Sequence, residues 1–258
     1  MKQEMMTIVT QRLLAPQIYE MTLTGELVKQ MIIPGQFLHL KVPRADLLLR
    51  RPISINKIDH EKNECAIIYR VEGDGTDVLS QLQSGDKVDV MGPLGNGFPI
   101  EEVKKGEKIL IIGGGIGIPP LYELSRQLVA KGAEIINIQG FRNRETIFFE
   151  EEFRELGEMH IATSDGSYGT EGYVCKILDT RLKEFNPDAV YVCGANGMLK
   201  VVNERFIDHP RAYLSLEARM ACGMGACYAC VCPKANSETE TMRVCKEGPI
   251  VATGEVAL

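Results

Sequence analysis

Cys222, Cys227 and Cys230 stand at C-x4-C-x2-C spacing, and Cys245 follows after fourteen intervening residues. Plant-type [2Fe–2S] centres take their four thiolates at spacings of this kind, and such a centre moves one electron at a time. Gly223 and Gly225 fall between the first two cysteines, where the chain must wrap closely around bridging sulfides. A missing side chain leaves room there and lets backbone N–H groups point at sulfur. A structural zinc site is one alternative, but it more often shows two C-x2-C pairs or a Cys/His mixture. Only Cys227 and Cys230 form such a pair, and the nearest histidine is His209. Disulfides are the other alternative, disfavoured because nothing here reads as secreted and cytosolic thiols stay reduced. Cys232 points away from Cys230 and stays outside the expected ligand set, while Cys65, Cys175 and Cys193 read as small buried residues.

Three further groups are odd as structure alone. Arg50 and Arg51 precede Pro52, Ile53 and Ser54 at the start of a β-like run. Ile68, Tyr69 and Arg70 put an aromatic and a cation on adjacent, hence opposite-facing, strand positions. Gly73, Asp74, Gly75 and Thr76 open a short helical segment over 76–82, whose first-turn N–H groups could receive a phosphate. Singly these read as surface charge, a core tyrosine and a turn. Together they supply pyrophosphate donors and a planar contact surface.

A second phosphate cradle lies mid-chain. Residues 108–112 are an unbroken apolar run, as a buried parallel strand requires. Gly113, Gly114, Gly115 and Gly117 follow, and then a helix beginning at Pro119 and Pro120 with Leu121, Leu124 and Leu128 on one face. Strand, glycine loop and helix in that order form a dinucleotide-binding turn, although Ile118 replaces the third glycine of G-x-G-x-x-G. The next strand, 134–140, ends in Gln139 and Gly140 and not in an acid for the adenosine ribose. Arg142 and Arg144 could meet a 2′-phosphate or be solvated loop charges, which leaves NAD against NADP open. Strands over 160–163 and 189–193 lead into the Ser164–Gly169 loop and into Cys193 and Gly194.

These groups need elements to hold them. Short β-like runs at 6–9, 18–23, 37–42, 52–56, 65–71 and 87–91 suggest a small antiparallel barrel. The later strand–helix alternation suggests a doubly wound parallel α/β domain. The expected division is a β-barrel over 1–100, a nucleotide-binding α/β domain over 101–212 and a cluster segment over 213–258. Hydrophobic content of 45% suffices for a sizeable core, and the net charge of −6 argues against nucleic-acid or anionic-membrane partners. The first eleven residues lack a basic region followed by an apolar core, and no run approaches a membrane span, so a cytoplasmic protein is expected. The four histidines show no catalytic grouping, and no catalytic acid–base residue is expected.

Arg51-Pro52-Ile53-Ser54 with Gly75-Thr76 resembles the flavin-binding half of the ferredoxin reductase family. Gly115-x-Gly117-x-x-Pro120, the D-x-S-x-G of Asp165–Gly169 and the C-G-x-x-x-M from Cys193 to Met198 resemble its nucleotide half. The resemblance implies FAD held by Arg51, Pro52, Ile53, Ser54, Ile68, Tyr69, Arg70, Gly75 and Thr76. Arg51 and Arg70 would meet the pyrophosphate with Gly75 and Thr76, and Ser54 the flavin ring. It implies NAD at Gly113, Gly114, Gly115, Gly117, Cys193 and Gly194, with Cys193 beside the nicotinamide and not a nucleophile. The order of barrel, nucleotide domain and C-terminal cluster resembles the electron-transfer subunits of NAD-dependent dihydroorotate dehydrogenases, most specifically over 217–233. That implies a heterotetramer in which two such chains dock on two FMN-containing catalytic subunits that oxidise dihydroorotate to orotate in pyrimidine synthesis. Electrons would pass from FMN through a cluster on Cys222, Cys227, Cys230 and Cys245 to FAD and NAD+. Small subunits of NADH-dependent ferredoxin:NADP oxidoreductases and of sulfide dehydrogenases share the module order, and a zinc-stabilised binding module remains the alternative of another class.

Overall fold

The computed structural model describes residues 2–180, 183 and 185–258. Six strands close an antiparallel barrel: β1 (Lys2–Ala15), β2 (Ile18–Thr24), β3 (Phe37–Leu40), β4 (Arg51–Asp59), β5 (Glu64–Arg70) and β6 (Lys87–Leu94), in the order β1-β2-β5-β4-β3-β6. A short helix, α1 (Asp74–Ser80), follows β5. β1 is much longer than the 6–9 run suggests. Its register slips between Ile8 and Thr10, so the alternation beyond that point changes phase and exposed polar residues carry the strand onward. Met6, Ile8, Leu38, Leu40, Ile55, Ile67 and Val90 fill the barrel.

The second unit is a seven-stranded sheet. Its strands are β7 (Lys108–Gly114), β8 (Glu134–Phe141), β9 (Glu158–Thr163), β10 (Thr170–Glu171), β11 (Ala189–Cys193), β12 (Ala212–Ser215) and, far along the chain, β15 (Ile250–Ala252). The helices are α2 (Pro119–Ala130), α3 (Glu150–Arg154), α4 (Val174–Thr180) and α5 (Asn196–Arg205). The order β10-β9-β8-β7-β11-β12-β15 reverses direction between β7 and β11, which opens a crevice at their carboxyl ends. Leu121, Leu124 and Leu128 of α2 are fully buried, each worth about 1.5–3 kcal/mol of transfer free energy.

Residues 216–249 leave the sheet after β12 and come back as β15, which pairs antiparallel with β12. This excursion holds all four expected ligand cysteines and a small hairpin of β13 (Val231–Pro233) and β14 (Thr241–Arg243). β12 straddles residue 213, and β15 belongs to the nucleotide sheet, so the cluster segment is a loop between two neighbouring strands and not a trailing appendage.

The three parts share packing. Phe37, Met91 and Leu94 of the barrel lie in one apolar cluster with Val190 and Val192 of the sheet and with Cys230, Met242, Val244 and Cys245. Asn96 clamps the excursion's exit, its side-chain amide donating to Ile250 O at 2.7 Å and its Oδ1 accepting from Ile250 N at 3.1 Å. On the other side α2 packs against β4. The buried Glu123 accepts the Ile58 N–H at 3.1 Å and a bond from Arg126 at 2.7 Å.

Candidate redox site

The cluster loop is built around sulfur acceptors. Backbone N–H groups of Met224 and Ala226 point at Cys222 Sγ at 3.4 and 3.3 Å. Gly225 N donates to Cys245 Sγ at 3.1 Å, and Cys245 N to Cys230 Sγ at 3.4 Å. Gly223 and Gly225 take φ of +68° and +82°, a left-handed conformation that favours glycine, which is what curls the chain around the thiols. The four thiols lie within one another's influence, Cys222 beside Cys227 and Cys245 beside Cys230 and within reach of Cys222. Among the described residues no three His, Cys, Asp or Glu side chains converge on a single ion. Four thiols at this spacing can serve two irons, each taking two thiolates. Burial opposes ionisation of Cys222, but the N–H groups of Met224, Cys227 and Ala226 outweigh it and hold that thiol down to about 6. Cys232 sits on β13, its Sγ near the Pro233 and Ala257 carbonyls, apart from these four.

Arg243 ties the loop in a way its sequence position alone does not announce. Its guanidinium donates to Gly225 O at 2.8 Å, lies 5.0 Å from the Tyr228 ring centre and pairs with Glu247.

The barrel's outer face meets this loop. Leu38 and Leu40 of β3 point into the barrel, which leaves Phe37 and His39 pointing out. Across the ladder Phe37 pairs with Ser54 and His39 with Pro52, so the Ser54 face and the cluster loop share β3. His39 is fully buried, and Nδ1 lies 2.5 Å from where a Cβ on Gly223 would stand. Gln36 Oε1 and both His39 ring nitrogens are buried without a partner among the described residues. Burial, helped by Arg50, holds the imidazole down to about 4, hence neutral.

The expected phosphate contacts divide. Arg51 drapes over Gly75, whose Cβ, if it had one, would collide with the guanidinium. Thr76 Oγ1 accepts from Glu72 N at 3.0 Å and fastens the turn beneath it. Arg70 is exposed at the end of β5, paired with Glu72. Arg50 is occupied otherwise, bridging His39 O and Asp89. Ile53 points mostly into the barrel core. Ile68 faces the nucleotide unit, but Tyr69 points inward, stacked on Tyr19 at 6.1 Å and bonded to Gln11, so only Ile68 of that pair lies on the outer face. A cationic cradle at Gly75, with Ser54 half-buried on the outer face across from Phe37, fits a flavin dinucleotide.

In the crevice, a Cβ on Gly117 would stand 2.6 Å from the Gly194 backbone, so the glycine loop and the β11–α5 turn touch main chain to main chain. Gly114 and Gly194 both abut Met198, and Gly113 abuts Ile118. Gly115 has φ +52° and nothing within 4 Å of its missing Cβ, leaving the loop open toward the crevice. Desolvation pushes the Cys193 thiol up to about 12, which is incompatible with a nucleophilic thiolate at neutral pH. Arg144 lies 5.6 Å from the Tyr168 ring, and its N–H donates to Ser167 Oγ at 2.9 Å. That seats Arg144 against the Asp165–Gly169 loop. These features fit a nicotinamide dinucleotide.

Residues 9–98 match the model of the oxidoreductase FAD-binding domain and 111–204 that of the oxidoreductase NAD-binding domain. Residues 217–257 match the iron–sulfur cluster binding domain of dihydroorotate dehydrogenase B. The chain is 57% identical over 260 residues to a dihydroorotate dehydrogenase B (NAD(+)) electron transfer subunit of Enterococcus faecalis, covering 100% of this chain and 99% of that one. It is 52% identical over 256 residues to one of Bacillus caldolyticus, covering 99% and 98%. Among solved structures, an NADH-dependent reduced ferredoxin-NADP oxidoreductase superposes with a TM-score of 0.87 at 26% identity, over 98% of this chain and 90% of the other. A ferredoxin NADP+ reductase of Neisseria gonorrhoeae, at 16% identity and a TM-score of 0.70 over 81% and 92%, shares the fold.

Proposed function

This chain belongs to the family of dihydroorotate dehydrogenase B electron-transfer subunits, and from that premise we propose that it carries electrons from an FMN-bearing catalytic subunit to NAD+. The complex is a heterotetramer of two such chains and two catalytic subunits, working in the cytoplasm. When bound, FAD exchanges a hydride with the nicotinamide and single electrons with the [2Fe–2S] cluster. The protein's part is to hold and align. Cys222, Cys227, Cys230 and Cys245 grip the irons while the loop amides stabilise sulfur. Arg51, Arg70, Gly75 and Thr76 take the flavin pyrophosphate, and Pro52 and Ser54 present the barrel face to the ring, with Ile68 alongside. Gly113, Gly114, Gly115 and Gly117 let the nucleotide backbone approach, and Cys193 and Gly194 line the nicotinamide end of the crevice.

The observation that carries this reading is the shared β3 face, with Ser54 across from Phe37 and the Cys222 loop against His39. It supports a flavin and a cluster close enough for electrons to pass without any side chain reacting. Met224, Tyr228 and Val231 are exposed on the cluster loop, an apolar surface that supports docking of the catalytic subunit there.

The test is to purify the chain anaerobically, alone and co-expressed with a dihydroorotate-oxidising FMN subunit. The expected result is FAD, two irons and two labile sulfides per chain, and a stable complex that reduces NAD+ with dihydroorotate. A chain that ignores the FMN subunit but binds a ferredoxin-linked large subunit would favour the second reading, a bifurcating ferredoxin–NADP oxidoreductase. The 0.87 superposition supports that reading, and the 57% identity favours the first.

A further inference from the structure

We infer that His39 donates an imidazole N–H to a sulfur of the cluster and so sets the cluster's reduction potential relative to the flavin. The inference rests on the flavin and cluster reading above and assigns a positioning residue within it.

His39 is fully buried, yet neither ring nitrogen makes a hydrogen bond of normal geometry among the described residues, the Arg50 main chain offering only a weak contact. A buried donor left unmade is costly, so its partner is to be sought in something the polypeptide does not itself supply. Direction narrows the choice. Nδ1 points at Gly223, the residue after Cys222, and stands where that glycine's side chain would be. Gly223 therefore leaves the space His39 uses. The alternation of β3 agrees, because Phe37, on the same face, belongs to the apolar cluster that also holds Cys230 and Cys245. As a neutral imidazole the ring has one N–H to give and brings no charge into the core.

Among the described residues the N–H donors to the cysteine thiols come from the cluster loop's own backbone, at Met224, Gly225, Ala226, Cys227 and Cys245, which leaves the inorganic sulfide as the sulfur within His39's reach. His39 comes from the barrel, on the strand that pairs with Pro52 and Ser54. Hydrogen bonds to cluster sulfurs favour the reduced, more negative state and raise the potential. One side chain thus links the flavin's support to the energy of the cluster's electron.

The test uses the whole FAD-loaded chain and its His39→Leu and His39→Gln variants, titrated redox-metrically with the reduced cluster's electron paramagnetic resonance signal as readout. Iron, labile sulfide and FAD are assayed on each sample. His39→Leu is expected to lower the reduced-to-oxidised cluster ratio at fixed potential about tenfold, which is about 59 mV for one electron. His39→Gln, which keeps an N–H, should recover most of that. A fully loaded His39→Leu cluster within about twofold of wild type overturns the assignment. Should the leucine variant lose its iron, wild-type protein labelled with 15N-histidine decides. Hyperfine spectra of its reduced cluster should show a nitrogen coupling that changes with the label, and a spectrum blind to the label overturns the inference alone. Wild-type protein without iron or labile sulfide would overturn the cluster reading as well.

Discussion

Gly117→Ala should damage hydride exchange without touching the metal site. The added Cβ would stand 2.6 Å from the Gly194 Cα and N and 2.7 Å from the Cys193 carbonyl carbon. Carbon atoms pack comfortably at about 3.5 Å or more, so one of the two turns must retreat by about 1 Å. Both turns line the same crevice, and both are backbone there, so no flexible side chain can absorb the shift. A displacement of about 1 Å in a positioned reactant costs on the order of 100-fold in rate. We therefore expect kcat/KM for NADH oxidation with ferricyanide to fall about 10- to 100-fold, or about 1.4–2.7 kcal/mol. Iron, labile sulfide and FAD contents should match wild type, because neither turn carries a ligand cysteine or a residue expected to hold the flavin pyrophosphate. A folded variant with kcat/KM within about twofold of wild type would refute the claim that these turns fix the nicotinamide.

Cys245→Ser should abolish iron and labile sulfide while sparing FAD, and Cys232→Ser should keep all three, as chemical analysis of anaerobic preparations will show. Gly75→Ala displaces the Arg51 guanidinium and should weaken FAD retention about tenfold, about 1.4 kcal/mol, measured by release of flavin fluorescence on dilution. Because desolvation pushes the thiols of Cys65 and Cys193 up to about 12, both should escape alkylation in native protein at pH ~8, and mass spectrometry of the Cys193 peptide checks this. For His39 the folded value, about 4, lies below the free value of 6.5, so the unfolded chain takes up the proton first as pH falls. The neutral ring's contribution is complete above pH ~6.5 and shrinks by about 2 kcal/mol by pH ~5. Urea midpoints of wild type and His39→Gln should converge over that window, and parallel pH profiles would contradict it.

Much of this was legible from residue order. β7 and β11 are parallel strands buried on both faces, so they read as continuous apolar runs, and the observed β11 coincides with the expected 189–193. The cysteine spacing carries its own chemistry. Less legible was anything decided by strand parity. Adjacent positions face opposite ways on a strand, but whether Tyr69 or Ile68 points outward depends on pairing with β2 and β4, which no local pattern contains. β15 was missed because its three residues gain their meaning from a partner strand some forty residues earlier. His39 looked like one polar residue in an alternating strand. Only contact with Gly223, nearly two hundred residues on, gives it a role. Arg243 is similar, a cation two positions before Cys245 whose reach to Gly225 is a matter of hairpin geometry.

The excursion that carries the cysteines departs from β12 and rejoins at β15, its immediate neighbour. Its two ends are therefore stapled side by side by that pairing, and lengthening or shortening such a span changes closure entropy slowly, by about 0.6 kcal/mol per doubling. The arrangement has the character of a cassette. A different cofactor loop could be grafted between the same two strands if it also supplied the apolar side chains that Met242 and Val244 contribute to the cluster around Val190, Val192 and Phe37.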